Sequence, residues 1–295
     1  MYIMDYINLP WHKFVALGIK TAYKLGGLPN PKPDGTLDIP SRDTNRTIRA
    51  HIYRPQSAST PSPILLNFHG SGYILPQHGS DDRFCRQIVS QTQFTIIDCS
   101  YRLAPADPFP AAPHDAEDAV TYILSHPDLY DLSNFWVSGF SAGGALALGV
   151  SSIFPPNTIK GVLAFYPPTD LFTGPYVKTP PDTRGRPIPG FVADAFDKCY
   201  LPLGTDLKHP LISPLYTEAS KFPDRVLMIT CAFDSLCGES EELAEKIEKV
   251  QGKMVRSARM EECNHAWDKV CEKGSLQERE RERAYSMAVD MLNEK

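Results

Sequence analysis

The stretch NFWVSGFSAGGALALG, residues 134–149, runs apolar into a serine and leaves it through small residues. FWVSG (135–139) has the continuous apolar character of a buried strand, and Ala142 to about Ser152 reads as a helix rich in small residues. Between them lies Gly139-Phe140-Ser141-Ala142-Gly143, a G-x-S-x-G turn. A turn this tight between strand and helix lifts a hydroxyl off the end of the sheet. Its flanking positions stay small because a Cβ there would meet backbone. The helix N-terminus behind the serine favours negative charge developing beside it. The plain alternative is a glycine-rich turn without chemistry, and the pentapeptide alone leaves both open.

The same strand-then-helix rhythm extends both ways. Upstream, TIRAHIYR (47–54) alternates as a strand, QSASTPSP (56–63) turns, and ILLNF (64–68) is a buried strand. Residues 81–92 read as a helix, FTIIDCS (94–100) as a strand and HDAEDAVTYILS (114–125) as a helix. Downstream come strands at GVLAFY (161–166), RVLMITCA (225–232) and KMVRSAR (253–259). Helices are expected at about 240–251 and 277–293, the last with Ala284, Met287, Ala288 and Met291 facing inward. With a short strand near 36–39, this is an α/β chain with a mostly parallel eight-stranded sheet and helices on both faces. Residues 167–222 break the rhythm with Pro, aromatic and turn residues. So long a structureless loop is uncommon, so the segment reads as an insertion with short helices of its own. Residues 10–25 read as a helix with Trp11, Phe14, Val15, Ala22 and Leu25 on its apolar face. The expected organisation is an N-terminal cap segment (1–45), a core (46–166 and 223–295) and a cap insertion (167–222).

Composition narrows the function. The 295 residues are 42% hydrophobic and 22% charged, with a net charge of −5. That balance disfavours a nucleic-acid or anionic-membrane surface. No run of apolar residues is long enough to span a bilayer. MYIMDYINLP (1–10) carries Asp5, lacks a basic start and has Pro10 where an apolar run would lie, so it is not expected to be a signal peptide. Seven cysteines at irregular spacing read as reduced thiols, and the eight histidines fall at no ligand spacing. The expectation is a cytoplasmic protein with no metal.

A serine hydroxyl needs a base to take its proton, and the base needs an acid to orient it. In a sheet of this kind the order along the chain is Ser, acid, His. Asp234, in AFDSLCGE, closes the strand 225–232, and His265, in ECNHAWDK, follows the last strand. Both fall at the carboxyl edge of the sheet with Ser141. Taken singly, Asp234 could be a helix N-cap and His265 a surface histidine with Asp268 as an ion-pair partner. Three such residues in the right order at three strand ends make coincidence a minor contender. HGSGY (69–73) follows the strand ILLNF. Backbone N–H groups of Ser71 and Gly72, with Gly70 as the alternative register, and of Ala142 are the expected oxyanion donors. His69 is expected to hydrogen-bond the loop and not to act as a second base.

With HGSGY and GFSAGG, the segment YRLAPADPFPAAPHDAEDAVTYIL (101–124) and DSLCGE (234–239) resemble the hormone-sensitive-lipase-like branch of the α/β-hydrolases, from about residue 45 onward. The resemblance implies Ser141 as nucleophile, His265 as general base and then acid, and Asp234 as its orienting acid. It also implies acyl transfer to water through an acyl-serine, a helical cap and no cofactor. Two positions depart from the pattern: Phe140 stands where the family has Asp, and Ser71 replaces the middle glycine of HGGG. An aromatic-lined substrate pocket is expected from Tyr73, Phe140, Tyr166, Phe172, Phe191 and Trp267, against the usual fate of large aromatics as core. The leading expectation is a serine hydrolase of small to medium carboxylic esters. A biosynthetic enzyme cleaving amides or thioesters, cyclising, eliminating or transferring acyl groups is the first alternative, and a non-enzymatic small-molecule binder the second. Expected partners are the small-molecule substrate and, as a candidate, a second copy of the chain.

Overall fold

The eight strands line up in the order β1-β2-β4-β3-β5-β6-β7-β8. They are β1 (Gly35–Pro40), β2 (Thr47–Tyr53), β3 (Ser62–Phe68), β4 (Thr95–Cys99), β5 (Tyr130–Phe140), β6 (Gly161–Phe165), β7 (Arg225–Cys231) and β8 (Met254–Met260). A computed structural model describes residues 2–57 and 59–294, and for residues 2–10 the backbone alone. β1 and β2 run antiparallel to their neighbours, and every other pair is parallel. The helices are α1 (Tyr2–Leu25), α2 (Asp82–Gln91), α3 (Ala111–Leu124), α4 (Ala142–Ile153), α5 (Gly190–Tyr200), α6 (Cys237–Glu248) and α7 (Leu276–Asn293).

Successive strand side chains point to opposite faces, so the apolar runs feed two cores at once. Ile64, Leu66, Phe68, Val137, Val162, Ala164 and Met228 join α3, α4 and α6 on one face. Leu65, Trp136, Phe140, Leu163, Phe165, Leu227 and Ile229 join α2 and α7 on the other. The strand order reverses between β3 and β5, whose ends pair at Phe68 and Gly139. A crevice opens at such a switch point, and it sets the loop after β3 beside the turn after β5.

The N-terminal helix turns a different face inward from the one expected. Trp11, Phe14 and Leu25 are exposed, and so is Ala22, while Val15 is half-buried. His12 and Ala16 are buried instead, with Ile19 and Tyr23 half-buried along the same stripe. The 4-3-4 spacing of those four residues is as good a helical stripe as the more apolar one. It wins because α1 packs on α5. There small Ala16 permits close approach, and His12 Nε2 lies 3.2 Å from Asp194. The insertion contains α5 and short helical turns at Pro214–Tyr216 and Ala219–Lys221.

Candidate active site

Ser141 sits at the turn between β5 and α4 with φ 50° and ψ −123°, a conformation that L side chains seldom adopt. Its own N–H is spent on Phe165 O at 2.9 Å, which pins the turn to the end of β6. The turn closes because Gly139 and Gly143, two residues either side of the serine, have no side chains. A Cβ on Gly139 would lie 2.2 Å from Gly143 O, and one on Gly143 would lie 2.0 Å from Phe68 O.

Asp234 follows β7 in a tight turn in which its N–H donates to Cys231 O, and its Oδ1 accepts from the Leu236 N–H. Its carboxylate is fully buried. His265 lies in the loop after β8. Asp234 Oδ2 is 2.6 Å from His265 Nδ1, and His265 Nε2 is 2.8 Å from Ser141 Oγ. The buried acid holds the Nδ1 proton, so the lone pair of Nε2 faces the serine hydroxyl. Tyr166, itself at φ 40°, packs its ring edge-on to His265 at 4.9 Å. Its hydroxyl donates to Asp268 Oδ1 at 2.6 Å. Asp268 also accepts from Tyr285 and pairs with Lys269, so it is a structural anchor for this loop.

The HGSGY loop lies across the crevice. His69 Nδ1 contacts Gly70 O at 2.9 Å, and its ring stacks on Tyr101 at 4.4 Å. The Ser71 hydroxyl, present where glycine is usual, does not face the reacting centre. It lies 2.8 Å from Tyr101 OH and accepts the Tyr73 N–H, so its oxygen pins the loop. Gly72 takes φ +54°, which turns the peptide toward the crevice. The Ala142 N–H is the first of α4, among the donors that a helix N-terminus leaves without an intrahelical acceptor. Gly70, Ser71, Gly72 and Ala142 all line one cavity with Ser141 and His265.

That cavity holds about 370 Å³. Of the six aromatics expected around it, Tyr73 and Tyr166 line it and four do not. Phe140 is fully buried, T-shaped to Phe84 and stacked on Phe165 at 4.4 Å. Strand alternation decides this, because Phe140 shares the parity of Trp136 and points to the α2–α7 face. On its far side Lys269 Nζ sits 3.5 Å from the ring centre, a cation–π contact in the place of the family's aspartate. Trp267 is core, its Nε1 donating to Gln277 O. Phe191 is exposed, and Phe172 is exposed over a second cavity. The missed lining is mostly contributed by distant segments: Tyr23 from α1, Leu75 and Gln77, Lys178 and Ile188, and Phe196 and Asp197 from α5. No local pattern marks these residues, although Tyr23 belongs to the inward stripe of α1.

Tertiary folding also gathers His51, His78 and Asp98, which sequence spacing kept apart. The two rings stack at 4.0 Å and only 6° from parallel. A ring nitrogen of each lies 3.6 Å from Asp98 Oδ2.

Burial pushes His69 down to about 4, reinforced by His78 and opposed by its contact with Gly70 O. The folded chain thus binds that proton less readily than the unfolded chain does. The stabilisation from neutral His69 is present above about pH 6.5 and is lost as pH falls toward 4, roughly 3 kcal/mol over the window. As pH falls from 7 to 5, the urea midpoint of wild type is expected to drop relative to that of His69→Gln, whatever slope the raised carboxyls Asp197 and Glu239 add to both. An equally steep dependence in the variant would show that His69 does not carry it.

The family model described as alpha/beta hydrolase fold matches residues 65–269. This chain belongs to the alpha/beta hydrolase fold family. The hydrolase is 26% identical over 262 residues to carboxylesterase 20 of Arabidopsis thaliana, covering 80% of this chain and 78% of that protein. It is 26% identical over 220 residues to an arylesterase of Saccharolobus solfataricus, with 72% and 70% covered. The solved esterase of Pyrobaculum calidifontis superposes with a TM-score of 0.75 at 26% identity over 94% of each chain. Ester hydrolysis is the activity that this set of relatives supports for the hydrolase. Among the described residues, no helix is long and apolar enough to cross a membrane.

Proposed function

We propose that this hydrolase cleaves carboxylic esters of small to medium size through an acyl intermediate on Ser141. The observation that carries the reading is the Asp234–His265–Ser141 relay at 2.6 and 2.8 Å on the wall of a cavity of about 370 Å³. Cavities that bind small molecules run upward from about 300 Å³, which places this one at the small end. In the first step His265 Nε2 takes the hydroxyl proton as Oγ attacks the ester carbonyl. The tetrahedral oxyanion faces the N–H groups of Ser71 or Gly72 and of Ala142. The proton passes from His265 to the leaving alkoxide, and the alcohol departs. Water then repeats the sequence on the acyl-serine, with His265 again taking and returning the proton. Asp234 holds the tautomer and stabilises the imidazolium.

The cap assignment belongs to the same proposal: residues 1–45 and 167–222 cover a core of 46–166 and 223–295. Its support is that α1 packs on α5, and that Tyr23, Ile188 and Phe196 line the same cavity as Ser141. Seven free cysteines support a cytoplasmic setting. The exposed Trp11, Phe14 and Leu17 on α1 support self-association, which sedimentation velocity reads.

The test uses a p-nitrophenyl ester series and a serine-directed phosphonate. Turnover of short esters is expected, with one phosphonyl group mapped by mass spectrometry to the peptide containing Ser141. Labelling with negligible turnover of every ester would instead favour the biosynthetic alternative, and an absence of both would favour a binder.

A further inference from the structure

Four charged side chains reach the lining of the cavity: Lys178, Asp197, His265 and Lys269. Three are committed elsewhere. His265 holds Asp234 and Ser141. Lys269 Nζ is 2.7 Å from Asp81 Oδ1 and 2.9 Å from Asp268 Oδ2. Lys178 pairs with Glu239, which also accepts the N–H groups of Thr169 and Asp170. Burial pushes Glu239 up to about 7 against these donors, yet with a lysine and two N–H groups on it the geometry is that of an ionised pair.

Asp197 is different. Among the described residues its carboxylate makes no hydrogen bond or ion pair, and Lys178 acts on it only through its field. Burial pushes its carboxyl up to about 7; Lys178 opposes this, and Asp194 and Glu239 add to it. The neighbouring Tyr73 feels the same carboxylate. Its ring lines the cavity, stacked 3.7 Å from Tyr200, and its buried hydroxyl has no hydrogen-bond partner among the described residues. The cavity wall therefore offers a carboxylate with no direct ion-pair partner, close to the ring of Tyr73. A half-buried carboxylate on a largely apolar wall attracts an opposite charge more strongly than one in bulk water does.

We propose that Asp197 is the specificity determinant of this cavity and selects carboxylic esters that carry an ammonium group. The inference rests on the ester hydrolysis proposed above: the ammonium seats against Asp197 and Tyr73 while the ester carbonyl reaches Ser141.

The test compares kcat/KM for the trimethylammonio-propyl ester of acetic acid with that for the isostere in which carbon replaces nitrogen, by titrating released acid. Wild type is expected to prefer the cation by at least ~10-fold, the scale of a close charge pair away from bulk water. The ratio should fall toward one in Asp197→Asn and return in Asp197→Glu. A wild-type ratio near one, or an unchanged ratio in Asp197→Asn, overturns the proposal. If wild type hydrolyses neither ester, the p-nitrophenyl series decides separately whether the hydrolytic reading fails. Calorimetric titration with tetramethylammonium then decides the cation site: binding to wild type that is lost in Asp197→Asn upholds it, and equal or absent binding overturns it.

Discussion

Replacing Ser141 with alanine is expected to lower kcat for a p-nitrophenyl ester by about 10⁵–10⁶, the scale seen when the nucleophile of such a triad is removed. The size follows from the geometry. In the proposed mechanism Ser141 Oγ, 2.8 Å from His265 Nε2 with Asp234 2.6 Å from the far side of that ring, supplies the covalent route, so its loss removes that route entirely. What remains is the N–H donors around the oxyanion and the binding of the ester, worth roughly 10³–10⁴ over water. Alanine keeps the Cβ that the strained turn already accommodates at φ 50°. The fold should therefore persist, and unchanged near-UV circular dichroism checks that. Phosphonate labelling should vanish with the activity. A variant retaining a tenth or more of wild-type kcat would mean that another group attacks the ester.

Gly143→Ala is expected to be the most damaging single methyl addition to the fold. The new Cβ would lie 2.0 Å from Phe68 O and 2.5 Å from His69 O, both backbone atoms that cannot swing aside. Relief requires α4 to move away from the end of β3, which is where the oxyanion loop begins. Overpacking of a tight core typically costs 1–3 kcal/mol, and a clash with backbone belongs at or above the top of that range. A loss of at least ~3 kcal/mol lowers Tm by roughly 6–12 °C for a domain of this size. Differential scanning calorimetry reads it, together with kcat, which should fall because the donors after β3 are displaced. Tm within about 2 °C of wild type would show that the elbow has more room than these distances allow. Gly18→Ala is the control, since a Cβ there meets nothing within 4 Å. It should leave Tm nearly unchanged.

Where sequence reasoning succeeded, the cause was local. A strand buried on both faces is written as a run such as ILLNF or RVLMITC, and a partly exposed one as an alternation such as TIRAHIY, so all eight strands are legible. A turn too tight for a Cβ demands glycine, so Gly139 and Gly143 mark Ser141. Parallel strands end at one edge, so Asp234 and His265 could be expected near Ser141 from chain order alone, and the distances of 2.6 and 2.8 Å agree with that reading. Parity along β5 could also have told that Phe140 points away from the crevice, but the weight of an aromatic beside the nucleophile outran it.

The remaining features are properties of contacts between segments far apart in the chain. Either stripe of α1 can face inward until α5 arrives with Asp194 to meet His12. Phe172, Phe191 and Trp267 are equally aromatic, and only the packing of the insertion and the loop after β8 sends them to solvent or core. Asp197 looks like any helical aspartate in the sequence. Among the described residues it has no direct partner, because Lys178 pairs with Glu239, a residue far from Lys178 in the chain. Backbone preference and hydrophobic period act over a few residues, so the sequence by itself determined the strands, the elbow and the order of the triad. Charge pairing and side-chain burial are settled only when distant surfaces meet, and so the tertiary structure alone decided the walls of the cavity and which of the charges on them are paired.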